Sequence, residues 1–235
     1  MAPKISARIS LRWLPSTEAP SEPTDTIVFG VGAYFVDLRV LKTDNTIDWA
    51  LAGERQIVST DPLKVRWIKT LDSLGLTEEP DEGDFTTLPN GDSLETGAMP
   101  CPEKGMAVTQ YEEVWQVLAP QSGPDGEKGS AWILESIDAA DTMKTFLGRI
   151  GGSYMAMRGK TGEAWKEGEF GARSEEWDAS DRKWKNKHVI GYIAGLPSPA
   201  ELGTGLFAGE DTWKEGDKVA VLGQEYIVRA FEALQ

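Results

Sequence analysis

The sequence has one cysteine and one histidine in 235 residues. A single thiol, Cys101, excludes an intramolecular disulfide, and a single imidazole, His188, excludes a multi-histidine metal centre. Any Ser–His–Asp or Cys–His arrangement would have to run through His188, and no Gly-x-Ser-x-Gly elbow is present. Cys101 stands between Pro100 and Pro102 with only Lys104 near it, so it reads as a loop thiol rather than a nucleophile. Hydrophobic runs are short. None approaches the ~20 residues of a membrane span, and the first residues lack an apolar signal core. No long stretch keeps a helical apolar period. Positive charge is also scarce: 24 Lys and Arg against 38 Asp and Glu give a net charge of −14. A chain this acidic repels phosphate backbones and anionic lipid. Its one basic run, Arg182–Lys187, reads as a solvated strand with Trp184 turned inward. These absences lead us to expect no cofactor, no metal, no nucleic acid and no membrane insertion, in a reducing cytoplasmic or nuclear setting.

What is present is alternation. From Tyr34 to Gly53 the sequence reads YFVDLRVLKTDNTIDWALAG. Tyr34, Val36, Leu38 and Val40 alternate with Phe35, Asp37, Arg39 and Leu41, the period of a strand with two distinct faces. Thr43-Asp44-Asn45 supplies turn chemistry, and Ile47, Trp49 and Leu51 resume the alternation, so the stretch predicts a β-hairpin. The buried face is expected to carry Tyr34, Val36, Leu38 and Val40 together with Trp49, while Ala50 and Ala52 leave room for something to lie against the other face.

The same pattern predicts strands at Ile5–Leu14, Ile27–Phe29, Leu63–Leu71, Phe85–Leu88, Leu94–Met99 and Val108–Leu118. A mobile Pro-rich segment is expected around Pro15, Pro20 and Pro23. Residues 120–129 have linker composition, and strands are expected to resume at Ala131–Ile137. Phe146–Arg158 reads as one strand bent at Gly151-Gly152, followed by Trp165–Trp177, Trp184–Ile193, and a last hairpin of Lys218–Leu222 and Tyr226–Phe231. Single helical turns are expected at Asp138–Thr142 and Pro197–Leu202. The chain is therefore expected to be all-β, as two small antiparallel barrels: residues 1–119 and 130–235.

Chemistry-bearing motifs are few. Gly159-Lys160-Thr161 lacks the glycine a phosphate loop needs, because Tyr154 stands in its place. The carboxylates Glu78, Glu79, Asp81, Glu82, Asp84, Glu95, Glu112 and Glu113 read as a solvated acidic loop with strand-edge charges. Nine tryptophans are spread over both halves, chiefly for core packing. If a barrel is hollow, Trp49, Trp67, Tyr111 and Trp115 are the candidate ligand-pocket residues.

Several blocks are similar to the fungal Hri family, named for interaction with a yeast casein-kinase-I homologue. They are ISLRWLP (residues 9–15), PTDT (23–26), YFVDLRV (34–40), IDWALAG (47–53), LPNGDSLETGAMPCPEKG (88–105) and YEEVWQ (111–116). The likeness is close over residues 9–118 and looser beyond. It implies two lipocalin-like barrels, a casein-kinase-I-type kinase as protein partner, and a component of the translocation machinery of the endoplasmic reticulum as another. It brings no catalytic residues. The leading expectation is thus a non-enzymatic soluble adaptor, with Ser21 and Thr24 as candidate phosphorylation sites in an acidic segment. The alternative is a small apolar ligand in an aromatic-lined barrel, and the second alternative a cofactor-free cyclase or isomerase.

Overall fold

Period-2 patterning repeats along nearly the whole chain, and antiparallel meanders follow from it. The computed structural model describes residues 2–78, 81–101, 104–126, 129–137 and 142–234. Eight strands come first: β1 (Lys4–Trp13), β2 (Thr24–Val31), β3 (Tyr34–Leu41), β4 (Ile47–Thr60), β5 (Leu63–Asp72), β6 (Glu82–Thr87), β7 (Ser93–Cys101) and β8 (Ala107–Leu118). Each pairs with its successor, and β8 pairs back onto β1, closing an antiparallel up-and-down barrel. Closure leaves no free sheet edge.

The second half is different. β9 (Ser130–Ser136), β10 (Met143–Ile150), β11 (Ser153–Lys160), β12 (Gly171–Asp178), β13 (Lys183–Gly191), β14 (Lys218–Val221) and β15 (Gln224–Ala233) form one seven-stranded sheet. Its order is β13-β12-β11-β10-β9-β15-β14, and among the described residues it does not close. The expectation of a second closed barrel is corrected here, because its edge strands β13 and β14 do not pair. The expected bent strand Phe146–Arg158 is instead two strands, β10 and β11, folded back at a turn where Gly151 takes φ +55°. The expected strand Trp165–Trp177 begins only at Gly171. The helical turn expected at Asp138–Thr142 falls mostly outside the described residues. The one expected at Pro197–Leu202 is α1 (Pro199–Leu202), capped by the Ser198 side chain.

The segment after β13 covers one face of this sheet. Leu196 and Phe207 pack with Trp132, Leu134, Leu147, Tyr154, Val228 and, from the partly buried set, Trp213. Trp132 meets Phe207 edge-on, with ring centroids 4.8 Å apart. Polar anchors fix the segment: Arg173 donates to Glu201 at 2.7 Å, Ser198 donates to Glu175 at 2.6 Å, and Arg149 pairs with Glu210. Each of these sheet-side groups is buried, so each ion needs its partner.

The opposite face of the sheet lies on the barrel. Phe29, Val36, Leu38, Val40, Ala50 and Ala52 of the barrel wall form one buried cluster with Ala131, Ile133, Phe146, Ile150, Met155 and Met157. Gly148 lets β10 approach Phe29 and Val36. The two alanines of β4 do leave room, and the second sheet fills it. At the rim, His188 bonds Asp25 of β2 at 2.9 Å and Asn45 of the β3–β4 turn at 2.8 Å.

This packing corrects the facing of the hairpin. Register pairs Trp49 with Arg39 and Leu51 with Asp37, so those four share the barrel's inside. Val36, Leu38 and Val40 point outward into the contact between the halves. A bulge between Arg39 and Val40 shifts the register. Both faces of the hairpin are buried, and the charged one looks inward. No described helix is long and apolar enough to cross a membrane.

Candidate functional site

The inside of the barrel is built in layers, each set by cross-strand register. In the deepest layer Trp49 donates its indole N–H to Asp72 at 2.9 Å, and the Arg39 guanidinium lies 4.9 Å from its ring centroid. Lys69 reaches Asp72 and Asp81 at 3.5 and 3.7 Å. Arg39 pairs with Asp37 at 2.8 Å and approaches Glu113 at 3.6 Å, while Arg8 contacts Glu113 at 2.5 Å and Glu22 at 2.6 Å. Burial pulls the Arg39 guanidinium down, but Asp37 and Glu113 more than offset it, so Arg39 stays charged.

Above this floor is open space. A cavity of about 260 Å³ is lined by Phe35, Leu51, Val65, Trp67, Met99 and Trp115, among others. Asp37, Arg39, Asp81, Glu95, Tyr111 and Glu113 form its inner end. It widens toward the barrel end that carries the β4–β5 and β6–β7 turns, where Ile57, Leu63 and Val117 line it while remaining exposed. At roughly 30 Å³ per liquid water, the space matches a molecule of roughly ten heavy atoms.

Glu95 and Tyr111 are the innermost uncharged-partner pair. Tyr111 donates to Glu95 at 2.6 Å. Two glycines on the adjoining strands make the space for them. A Cβ at Gly83 would sit 2.6 Å from Glu95 Oε1, and one at Gly97 would sit 2.7 Å from the Tyr111 hydroxyl. Burial pushes the Glu95 carboxyl well above the ordinary carboxylate range, and Glu113 opposite it adds to the effect. Burial likewise raises Asp81 and Asp37, and raises the Tyr111 hydroxyl well above its usual value. Trp115 is 9% exposed and lines the cavity, and its Nε1 has no hydrogen-bond partner among the described residues. A buried N–H without an acceptor is costly.

Of the four aromatic candidates, Trp67, Tyr111 and Trp115 line the cavity, and Trp49 lies beneath it in the ionic layer. The sequence reading assigned Asp81, Glu95 and Glu113 to a solvated acidic face; all three lie inside the barrel. Glu95 and Glu113 sit on the inward phase of β7 and β8, with Asp81 just before β6, but alternation alone does not say which phase looks inward. Arg8, buried with Glu22 and Glu113, was missed for the same reason. Cys101 is not in a loop but at the end of β7, fully buried. Ser21 is exposed and its backbone pairs with Leu11, which ties the Pro-rich segment to β1. Thr24 is 1% exposed, and its hydroxyl is held by Arg8, Glu22 and Thr26. The described residues contain no group of three or more His, Cys, Asp or Glu with metal-holding geometry.

A family model described as Protein HRI1 matches residues 4–228. A crystal structure of an uncharacterized protein from Saccharomyces cerevisiae is similar in fold. Its TM-score is 0.73 at 17% identity, over 98% of this chain and 99% of that one. No curated protein matches the sequence.

Proposed function

The chain belongs to the Protein HRI1 family, and from that premise we propose that it binds a small, largely apolar molecule inside its first barrel. The observation that carries this reading is the open cavity together with the apolar and aromatic side chains, among them Phe35, Trp67, Met99 and Trp115, that line it. Closed up-and-down barrels of eight strands have an interior wide enough either to be filled by side chains or to hold one small ligand. Here the inner end is filled by ion pairs and the outer part is not. The lining is mainly apolar and aromatic with a few convergent polar groups, the composition of a small-molecule site. In this reading the first barrel is lipocalin-like in use as well as in strand order, and residues 120–129 separate a binding unit, 1–119, from a supporting unit, 130–235. Trp67 and Trp115 stand in the wall and make the test direct. A panel of small apolar metabolites should quench tryptophan fluorescence in the full chain, and Trp115→Phe should weaken the response. A silent panel would remove the proposal.

A second reading, of an adaptor for a casein-kinase-I-type kinase, is favoured by Ser21. It is exposed beside Glu22 in a segment with acidic neighbours, and a phosphate there would add charge without disturbing the core. Thr24 would have to leave its buried hydrogen bonds first. Phosphorylation of Ser21 by such a kinase, lost in Ser21→Ala, is the outcome to look for. Absence of both modification and capture would end that reading. A cyclase or isomerase would use the same cavity, with buried Glu95 as its proton donor. It calls for the same first measurement, because no turnover occurs without binding.

A further inference from the structure

Cross-strand register sets two glutamates side by side in the cavity, and only one of them has a counter-charge. Glu95 of β7 lies directly opposite Glu113 of β8. Glu113 takes both Arg8 and Arg39. Glu95, 4% exposed, accepts a hydrogen bond from Tyr111 and forms no ion pair among the described residues. Like charges opposed across a strand pair repel, and a carboxyl shut away from water without a cation keeps its proton. The wider lining shows the same imbalance. At the inner end of the cavity Asp37, Asp81 and Glu113 are answered by Arg39, Lys69 and Arg8; Lys4 and Arg55 belong to the outer part. Among the described residues Glu95 is thus the acid of this lining without a cation, and the walls carry aromatic rings, Phe35, Trp67, Phe85 and Trp115, suited to lie against one.

We infer that the barrel takes a small organic amine, bound as its ammonium ion against Glu95 with displacement of the Glu95 proton. The inference rests on the reading that this cavity is a small-molecule site, and it names the class. As the ammonium enters, the Glu95 O–H bond breaks and the proton passes to solvent. The carboxylate so formed then accepts N–H···O bonds from the ligand. The net charge of the cavity is the same before and after, which is what a low-dielectric interior tolerates. Trp115, two residues nearer the mouth than Glu113 on the same face of β8, supplies an aromatic wall for the rest of the ligand. A carboxylic acid of the same size would lie against Glu95 with no free cation beside it at that depth and should bind weakest.

The test uses three probes of one shape, 2-phenylethylamine, 2-phenylethanol and phenylacetate, titrated into the full chain with tryptophan fluorescence as readout. The amine should bind about tenfold or more tighter than the alcohol, the factor a charge-assisted hydrogen bond supplies, and phenylacetate weakest. Calorimetry in buffers of different ionisation heat should report release of about one proton per amine bound. Glu95→Gln should keep the affinity for the alcohol, which certifies an intact barrel, and lose the preference for the amine. Equal affinity for amine and alcohol, or an amine preference that survives Glu95→Gln, overturns the inference and leaves the cavity a site for neutral molecules. Failure of all three probes overturns it as well; the broader apolar panel then decides separately whether the cavity binds anything.

Discussion

The two halves solve the same problem in opposite ways. Each is a curved antiparallel sheet with a concave inside to fill. The first closes on itself, lines its inner end with ion pairs and leaves about 260 Å³ open. Among the described residues the second does not close, and the chain's own residues 193–213 lie across its inside, with Phe207 and Leu196 against Trp132 and Tyr154. Both interiors bury charged groups, but to different ends. In the second, Arg149 and Arg173 reach across to the covering segment and hold it down. In the first, Arg8 and Arg39 are spent on one wall, and the space beyond them is free. A filled interior stabilises, whereas an interior kept open has to be supported from outside, and here the second sheet supports it.

The largest effect should come from parting the halves. Residues 1–119 alone would expose Phe29, Val36, Leu38 and Val40, all buried in the intact chain. Each such side chain contributes roughly 1.5–3 kcal/mol by burial, so the isolated barrel should fail to give a cooperative thermal transition or a monomeric peak on gel filtration. A stable, monomeric fragment would show that the second sheet is a passenger. Next in size is Phe207→Ala, which empties the covering of the second sheet and should cost about 3–5 kcal/mol in chemical denaturation. It should leave ligand binding in the first barrel intact at temperatures where the chain is folded.

The paired glutamates sharpen the comparison within one wall. Glu113→Gln removes one carboxylate from a buried network in which Arg8 keeps Glu22 and Arg39 keeps Asp37, and should cost about 1.5–3 kcal/mol. Glu95→Gln, one strand away, replaces a carboxyl that already carries its proton; it should change stability by well under 1 kcal/mol at about pH 4, where the unfolded chain holds that proton too, and should become stabilising as pH rises. The folded state raises the Glu95 pKa above its ordinary 4.5, so the folded form holds a proton the unfolded chain gives up. Glu95 therefore costs stability as pH rises from about 4.5 toward its folded value, and Glu95→Gln should flatten that part of the melting-temperature profile. Asp25 has the opposite sign. Its hydrogen bond with His188, with Lys187 beside it, lowers its pKa from 3.8 to about 2. Its contribution is present above 3.8 and is lost as pH falls through about 2. Because Asp25 is about a third exposed, Asp25→Asn should cost only about 1 kcal/mol near neutrality, and nothing at the acid end.

Much of this fold is legible in the sequence, and the site much less so. Strands such as Leu63–Leu71 and Val108–Leu118 follow from alternation within a residue or two of β5 and β8. The room left by Ala50 and Ala52 is likewise readable. Alternation separates two faces without ranking them. On a strand covered on both sides, the usual rule that the apolar face is the inside has no purchase. Asp37 and Arg39 look like surface residues because nothing local tells that Glu113 and Arg8, far along the chain, will meet them. Of residues 193–213 only the short helix near Pro199–Leu202 was readable, for a related cause. The rest is loop and two short 3-10 turns, and what holds it is contact with the sheet. The turn at Gly151-Gly152 was mistaken for a bend, since two glycines fit either, and only the pairing of Phe146 with Met157 distinguishes them.

The second sheet is applied to the barrel's flank, whereas the cavity widens at the barrel's end, between the turns that join β4 to β5 and β6 to β7. Traffic and support are thereby assigned to different parts of the surface. On the proposed reading, a guest would come and go without prying the layers apart, and its residence time would be governed by side chains such as Ile57, Leu63 and Val117 at the doorway rather than by any large motion of the molecule.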